Sequence, residues 1–99
     1  MKELEKEFSG KGEVKGFIFK LKIRNRIASI YEVSQKNYTD VYYEIFKRKF
    51  TPTCIDFKNK IFDPTVLKEI YPKAKDFGIW AWTTPNWEKA VSIFNSINE

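Results

Sequence analysis

The chain has 99 residues, 42% of them apolar, 31% charged and 17% aromatic, with a net charge of +5; this length and aromatic content specify one folded domain and exclude a disordered segment. With no histidine and one cysteine, the chain cannot build a Ser-His-Asp or Cys-His catalytic arrangement, a closed zinc site or an internal disulfide, so no enzyme, metal or other cofactor is expected. No apolar run approaches the roughly 20 residues of a membrane span, and the mixed-charge start Met1-Lys2-Glu3-Leu4-Glu5-Lys6-Glu7 is unlike a secretory signal, so a cytoplasmic protein is expected.

Residues 1–12 read as a short charged arm, helical or frayed, with Leu4 and Phe8 as its only apolar pair. Gly10, Gly12 and Gly16 have G-x-G-x-x-x-G spacing and precede a strand pattern, which excludes a dinucleotide fingerprint and marks a flexible lead-in. Residues 13–99 then form a single domain. From Val14 to Arg24 the residues alternate, with Phe17, Phe19, Leu21 and Ile23 on one face and Ile18, Lys20, Lys22 and Arg24 on the other. A tight turn at Arg24-Asn25-Arg26 leads to a second strand, Ile27 to Val33, and Ser34-Gln35-Lys36-Asn37 to a third, Tyr38 to Lys47. These three make an antiparallel meander.

Pro52 precedes a fourth strand, Cys54 to Phe62, and Asp63-Pro64-Thr65 caps a short helix through Val66, Leu67 and Ile70. Phe77 to Trp82 reads as a central or covered strand, with Trp80 and Trp82 sharing one of its faces. Thr84-Pro85 starts a helix whose stripe is Trp87, Ala90, Val91, Phe94 and Ile97. The expected fold is α+β: an antiparallel sheet of four to five strands, beginning with the three-strand meander, and a C-terminal amphipathic helix on one face.

The charge excess is local. Residues 11–49 carry 10 basic and 4 acidic side chains, whereas residues 1–10 sum to −1 and residues 50–99 to zero. The meander brings the tip Arg24, Arg26 to the same end of the sheet as Lys47, Arg48 and Lys49, across roughly 10 Å, and Lys20 and Lys22 extend the positive surface. Such a pole suits phosphates, so a small binding module for nucleic acid or another acidic partner is the leading expectation. Tyr42, Trp80 and Trp82 would supply a stacking platform if exposed. A plain solvated surface is the competing account, with Lys20 and Lys22 opposite Glu32 or Glu44. The alternative function is a protein-interaction or assembly module, homodimeric or with another partner, using an aromatic patch or a free strand edge. The 15 Lys against 3 Arg, with many Ile, Asn, Phe and Tyr, match AT-rich codons and suggest a bacterial or phage source. Asp56-Phe57-Lys58, with Asp40, has the spacing of a metal-dependent nuclease, but Glu13-Val14-Lys15 meets the same pattern by chance. Cys54 lacks a histidine to activate it and reads as an inert thiol.

Overall fold

The computed structural model describes residues 2–36, 38–56 and 58–97. Its elements are β1 (Glu7–Ser9), β2 (Phe17–Arg24), β3 (Ala28–Gln35), β4 (Tyr42–Lys47), β5 (Phe50–Asp56), β6 (Ile61–Glu69), β7 (Ala81–Thr84) and α1 (Trp87–Ser96). Five strands form an antiparallel sheet in the order β1-β2-β3-β4-β7, while β5 and β6 form a separate hairpin. With α1 packed on β3, β4 and β7, the fold is α+β, as the pattern of the sequence implies. Phe57 and the side chains of Cys54 and Asp56 lie outside the described residues, and with them the Asp56-Phe57-Lys58 spacing and the thiol.

The meander forms because β2, β3 and β4 alternate and their turns are locally closed. Asn25 Oδ1 accepts hydrogen bonds from the backbone N–H groups of Ile27 and Ala28, both at 2.7 Å, which turns the chain without any positive φ there. The pairing of β2 with β3 slips between Leu21 and Ile23, leaving Lys22 as the extra residue of a bulge. One extra residue exchanges the faces of everything beyond it. Ile23 therefore lies opposite Ile30 among the residues under α1, and Arg24 lies opposite Ser29 on the other face, instead of beside Lys20 and Lys22 as simple alternation implied.

Both faces of the sheet are covered. Under α1 lie Ala28, Ile30 and Ile45, against Ala90, Phe94 and Ile97 of the helical stripe. The helix begins two residues later than Thr84-Pro85 implied: Asn86 is its N-cap, accepting from Lys89 N at 3.0 Å, and Thr84 Oγ1 accepts from Asn86 N at 3.2 Å. On the opposite face Phe19, Tyr31, Val33, Phe46 and Ala81 are fully buried beneath Leu4 and Phe8 of the N-terminal segment and Ile70, Tyr71 and Phe77 of the segment after β6. Tyr71 is the centre of this layer, its ring edge-on to Phe8, Phe19 and Phe46 at centroid distances of 6.1, 5.2 and 5.8 Å.

Four local expectations are corrected by tertiary packing. The N-terminal segment is extended, because burying Leu4 and Phe8 and pairing its backbone stabilises it more than an isolated turn of helix would. Lys2 exchanges hydrogen bonds with Leu67 and Glu69 at 2.7 Å each, Glu5 O accepts from Tyr31 Oη at 2.8 Å, and β1 pairs with β2. The expected fourth strand, Cys54 to Phe62, is divided: β5 begins at Phe50, runs through Pro52 and ends at Asp56, residues 58–60 turn with Lys60 at φ 54°, and β6 begins at Ile61. The segment expected to turn helical after Asp63 is strand β6, held by pairing with β5. Finally, the last strand is Ala81–Thr84 at the sheet edge; residues 78–80 are a turn with Gly78 at φ 91°, which breaks the assumed alternation of Trp80 and Trp82. Among the described residues no helix is long and apolar enough to cross a membrane.

Candidate functional site

The five basic residues of the expected pole do gather at one end of the sheet, since Arg48 N donates to Ile27 O and Lys47 lies opposite Ala28. Two of them are committed internally. Arg48 bonds both oxygens of Glu69, whose side chain is fully buried, through Nε at 3.3 Å and Nη2 at 3.2 Å, and also pairs with Glu3. Burial works against the Arg48 charge, but its bonds to Glu69 and Glu3 raise its pKa above the ordinary value. Arg24 Nη2 donates to Tyr31 Oη at 2.8 Å and Leu4 O at 3.0 Å, with Glu3 at 3.6 Å. Burial pushes the Tyr31 hydroxyl up to about 12, so it remains a neutral donor. The two guanidinium and two carboxylate charges cancel. They fasten the N-terminal segment to β2 and β6, and Leu4 N completes the set by donating to Glu69 Oε1 at 3.2 Å.

The remaining candidates are dispersed. Lys20 lies in register between Glu7 and Glu32, and Lys22 Nζ sits 3.7 Å from Glu32, so this strip of the sheet is charge-balanced. Lys49 Nζ rests 4.8 Å from the centroid of the Trp80 ring. Lys47 is half-buried, and Arg26 is exposed in the turn. The stacking platform does not form: Trp80 is buried with Phe19 and Phe46, whereas Trp82 packs among the residues under α1. Of the three aromatic candidates, Tyr42 lines a concave surface.

That surface is an open cleft of about 1030 Å³ on the face opposite α1. It is lined by Tyr42 and the buried Glu44 of β4, by Val14, by Tyr71, Pro72 and Phe77, and by Thr83 and Thr84 of β7. Lys11, Lys73 and Lys75 stand on its rim. Among the described residues no carboxylate pairs with these lysines; Asp76, the nearest acidic neighbour in sequence of Lys73 and Lys75, accepts through Oδ2 from the backbone N–H of Lys73 at 2.8 Å. The Tyr71 hydroxyl donates to Glu44 Oε1. Burial raises Glu44 from its ordinary 4.5 to about 7, with the Tyr71 hydrogen bond opposing the shift, and burial together with the charge of Glu44 raises Tyr71 and Tyr42. A half-ionised carboxyl in a mostly apolar cleft is the kind of polar group that orients ligands.

Sequence reading missed this site because its parts come from four distant segments. Lys73 and Lys75 belong to a stretch of zero net charge, and Glu44 reads from the sequence as a surface partner of Lys20 or Lys22. The only local signal was Tyr71-Pro72-Lys73-Ala74-Lys75, a polar loop carrying an aromatic and two cations. Tyr71 also lines two smaller neighbouring hollows of about 520 and 490 Å³, where lysines and carboxylates are balanced, Lys2 and Lys68 standing with Glu3, Glu5 and Glu69. No protein-family model matches this chain, and no curated protein or solved structure is similar to it.

Proposed function

We propose that this chain is a non-enzymatic binding module for single-stranded nucleic acid, and that it seats its ligand in the cleft over Tyr71, with the pole at Arg24–Lys49 in a lesser role. One observation carries the reading: three lysines without carboxylate partners among the described residues surround a cleft whose walls are aromatic and apolar. Its volume of about 1030 Å³ lies at the upper end of the roughly 300–1,000 Å³ typical of ligand sites. Bases offer apolar faces to Tyr42 and Phe77 while their phosphates meet Lys11, Lys73 and Lys75. Neither half of that match needs sequence-specific contacts.

Binding of a fluorescent oligothymidylate, followed by anisotropy from low to physiological salt, tests the reading. Three lysine–phosphate contacts on a single strand give a slope of log affinity against log salt of about −2. Replacing Lys73 and Lys75 by Gln should make that slope shallower by about 1.4, whereas Lys47→Gln should leave it unchanged. Absence of binding at low salt would overturn the proposal.

A second reading, an assembly module, is favoured by the β5–β6 hairpin. It stands apart from the main sheet, and it carries Ile61 and Val66 at 49% and 43% exposure. Sedimentation across a wide concentration range separates the two, since an assembly module forms a salt-resistant dimer and a nucleic-acid binder remains monomeric.

A further inference from the structure

Lysines and aromatic walls explain why a strand would bind but not which base would enter the cleft. We infer, resting on the reading above, that Glu44 makes the cleft selective for guanine, accepting the two N–H groups of its Watson–Crick edge. Glu44 is the acidic group lining the cleft, 5% exposed, and its orientation is fixed: the strand holds its backbone between Tyr31 of β3 and Thr83 of β7, and Tyr71 holds Oε1. An ionised carboxylate accepts and cannot donate, and its roughly four lone-pair directions leave room for further donors after the Tyr71 bond.

Base chemistry then discriminates. Guanine presents two adjacent donors, N1–H and the N2 amine, which match the two oxygens of a carboxylate. Adenine and cytosine present one amine beside a ring nitrogen whose lone pair faces the second oxygen, and thymine presents one N–H between two carbonyls. Each of these three leaves an acceptor against an acceptor, which is the arrangement a carboxylate rejects. Single-stranded ligands expose that edge, because their bases are unpaired.

The same carboxyl loses its preference when it takes up a proton. Neutral Glu44 has one donor and one acceptor oxygen, the complement of the adenine, cytosine and thymine edges alike, so protonation removes the preference for guanine. Its titration near pH 7 is set by burial, with the Tyr71 hydrogen bond opposing the shift; the other ionisable side chains about the cleft are Tyr42 on its own strand, Lys73 and Lys75 from the segment after β6 and Lys11 from the loop after β1, with Tyr31 opposite it on β3. The tyrosines stay protonated through neutral pH, so Glu44 is the group that switches.

The test uses oligothymidylates with a single central guanine, adenine or cytosine, compared by anisotropy at low salt. At about pH 8 the guanine oligomer should bind about tenfold tighter than the other two, the worth of one charged hydrogen bond. At about pH 6 the gap should shrink to about twofold or less as Glu44 protonates. Glu44→Gln, which replaces one acceptor oxygen by a donor, should abolish the preference for guanine over adenine and cytosine at about pH 8. Equal affinities for the three oligomers at about pH 8, with oligothymidylate binding retained, would overturn the guanine assignment alone. Failure of every oligomer to bind would overturn the cleft reading with it. The pH comparison needs only the native protein and decides the matter even if the Gln variant is poorly folded.

Discussion

Replacing Glu44 by Gln should stabilise this protein at neutral and alkaline pH. The carboxyl is buried beneath Tyr71, and its pKa is raised from 4.5 in the unfolded chain to about 7 in the folded one. Below pH 4.5 both states hold the proton, and Glu44 costs little. Between 4.5 and about 7 the folded state keeps a proton that the unfolded state has released, so stability falls as pH rises. Above about 7 both are ionised, and the loss is complete. At 1.36 kcal/mol per pH unit, the shift corresponds to about 3 kcal/mol. Urea unfolding of the native protein and the Gln variant at about pH 4.5 and about pH 8 isolates this group, because every other carboxylate is common to both. The variant should be more stable by up to about 3 kcal/mol at the higher pH and similar at the lower. A stability difference that does not change with pH would refute the claim that Glu44 is folded into an environment hostile to its charge.

Three further substitutions test other parts of the framework. Glu69→Ala should cost up to about 3 kcal/mol in urea unfolding, because it removes the buried carboxylate that takes two of the Arg48 hydrogen bonds and leaves the guanidinium to Glu3 and Asn25 O alone. Gly10→Ala should destabilise by about 1–3 kcal/mol and expose the arm to proteolysis, since a Cβ there would lie 2.0 Å from Val14 O and force the lead-in to β2 apart. Asn86→Ala should lower stability by about 1 kcal/mol through loss of the cap on Lys89 N, whereas Pro85→Ala should change it by less.

The parts of the fold legible in the sequence are those whose neighbours are close along the chain. β2, β3 and β4 could be read because alternation and an Asn25 turn are local signals, and α1 because Ala90, Phe94 and Ile97 repeat on one stripe. The bulge at Lys22 leaves no trace in composition, yet it moves Arg24 from an outward face to a buried network with Tyr31 and Glu3. Strand β6 carries Pro64 after an acidic residue, which locally imitates a helix start; only pairing with β5 decides otherwise. The N-terminal segment likewise takes its form from what it covers. Charge was legible as a total but not as a surface. The excess in residues 11–49 is partly cancelled by Glu3, Glu7 and Glu69 from outside that range, whereas Lys73 and Lys75, from a balanced stretch, stand beside a cleft together with Lys11.

The central claim is that ligand enters the cleft over Tyr71. Titrating the ¹⁵N-labelled protein with a guanine-containing oligothymidylate, and following each backbone amide by NMR, places the ligand directly. The account predicts that shifts concentrate at Lys11, Tyr42, Glu44, Tyr71, Lys73, Lys75 and Phe77 and spare Arg26 and Lys47. Shifts concentrated instead at Arg26, Lys47 and Lys49, with the amides around Tyr71 unmoved, would contradict it.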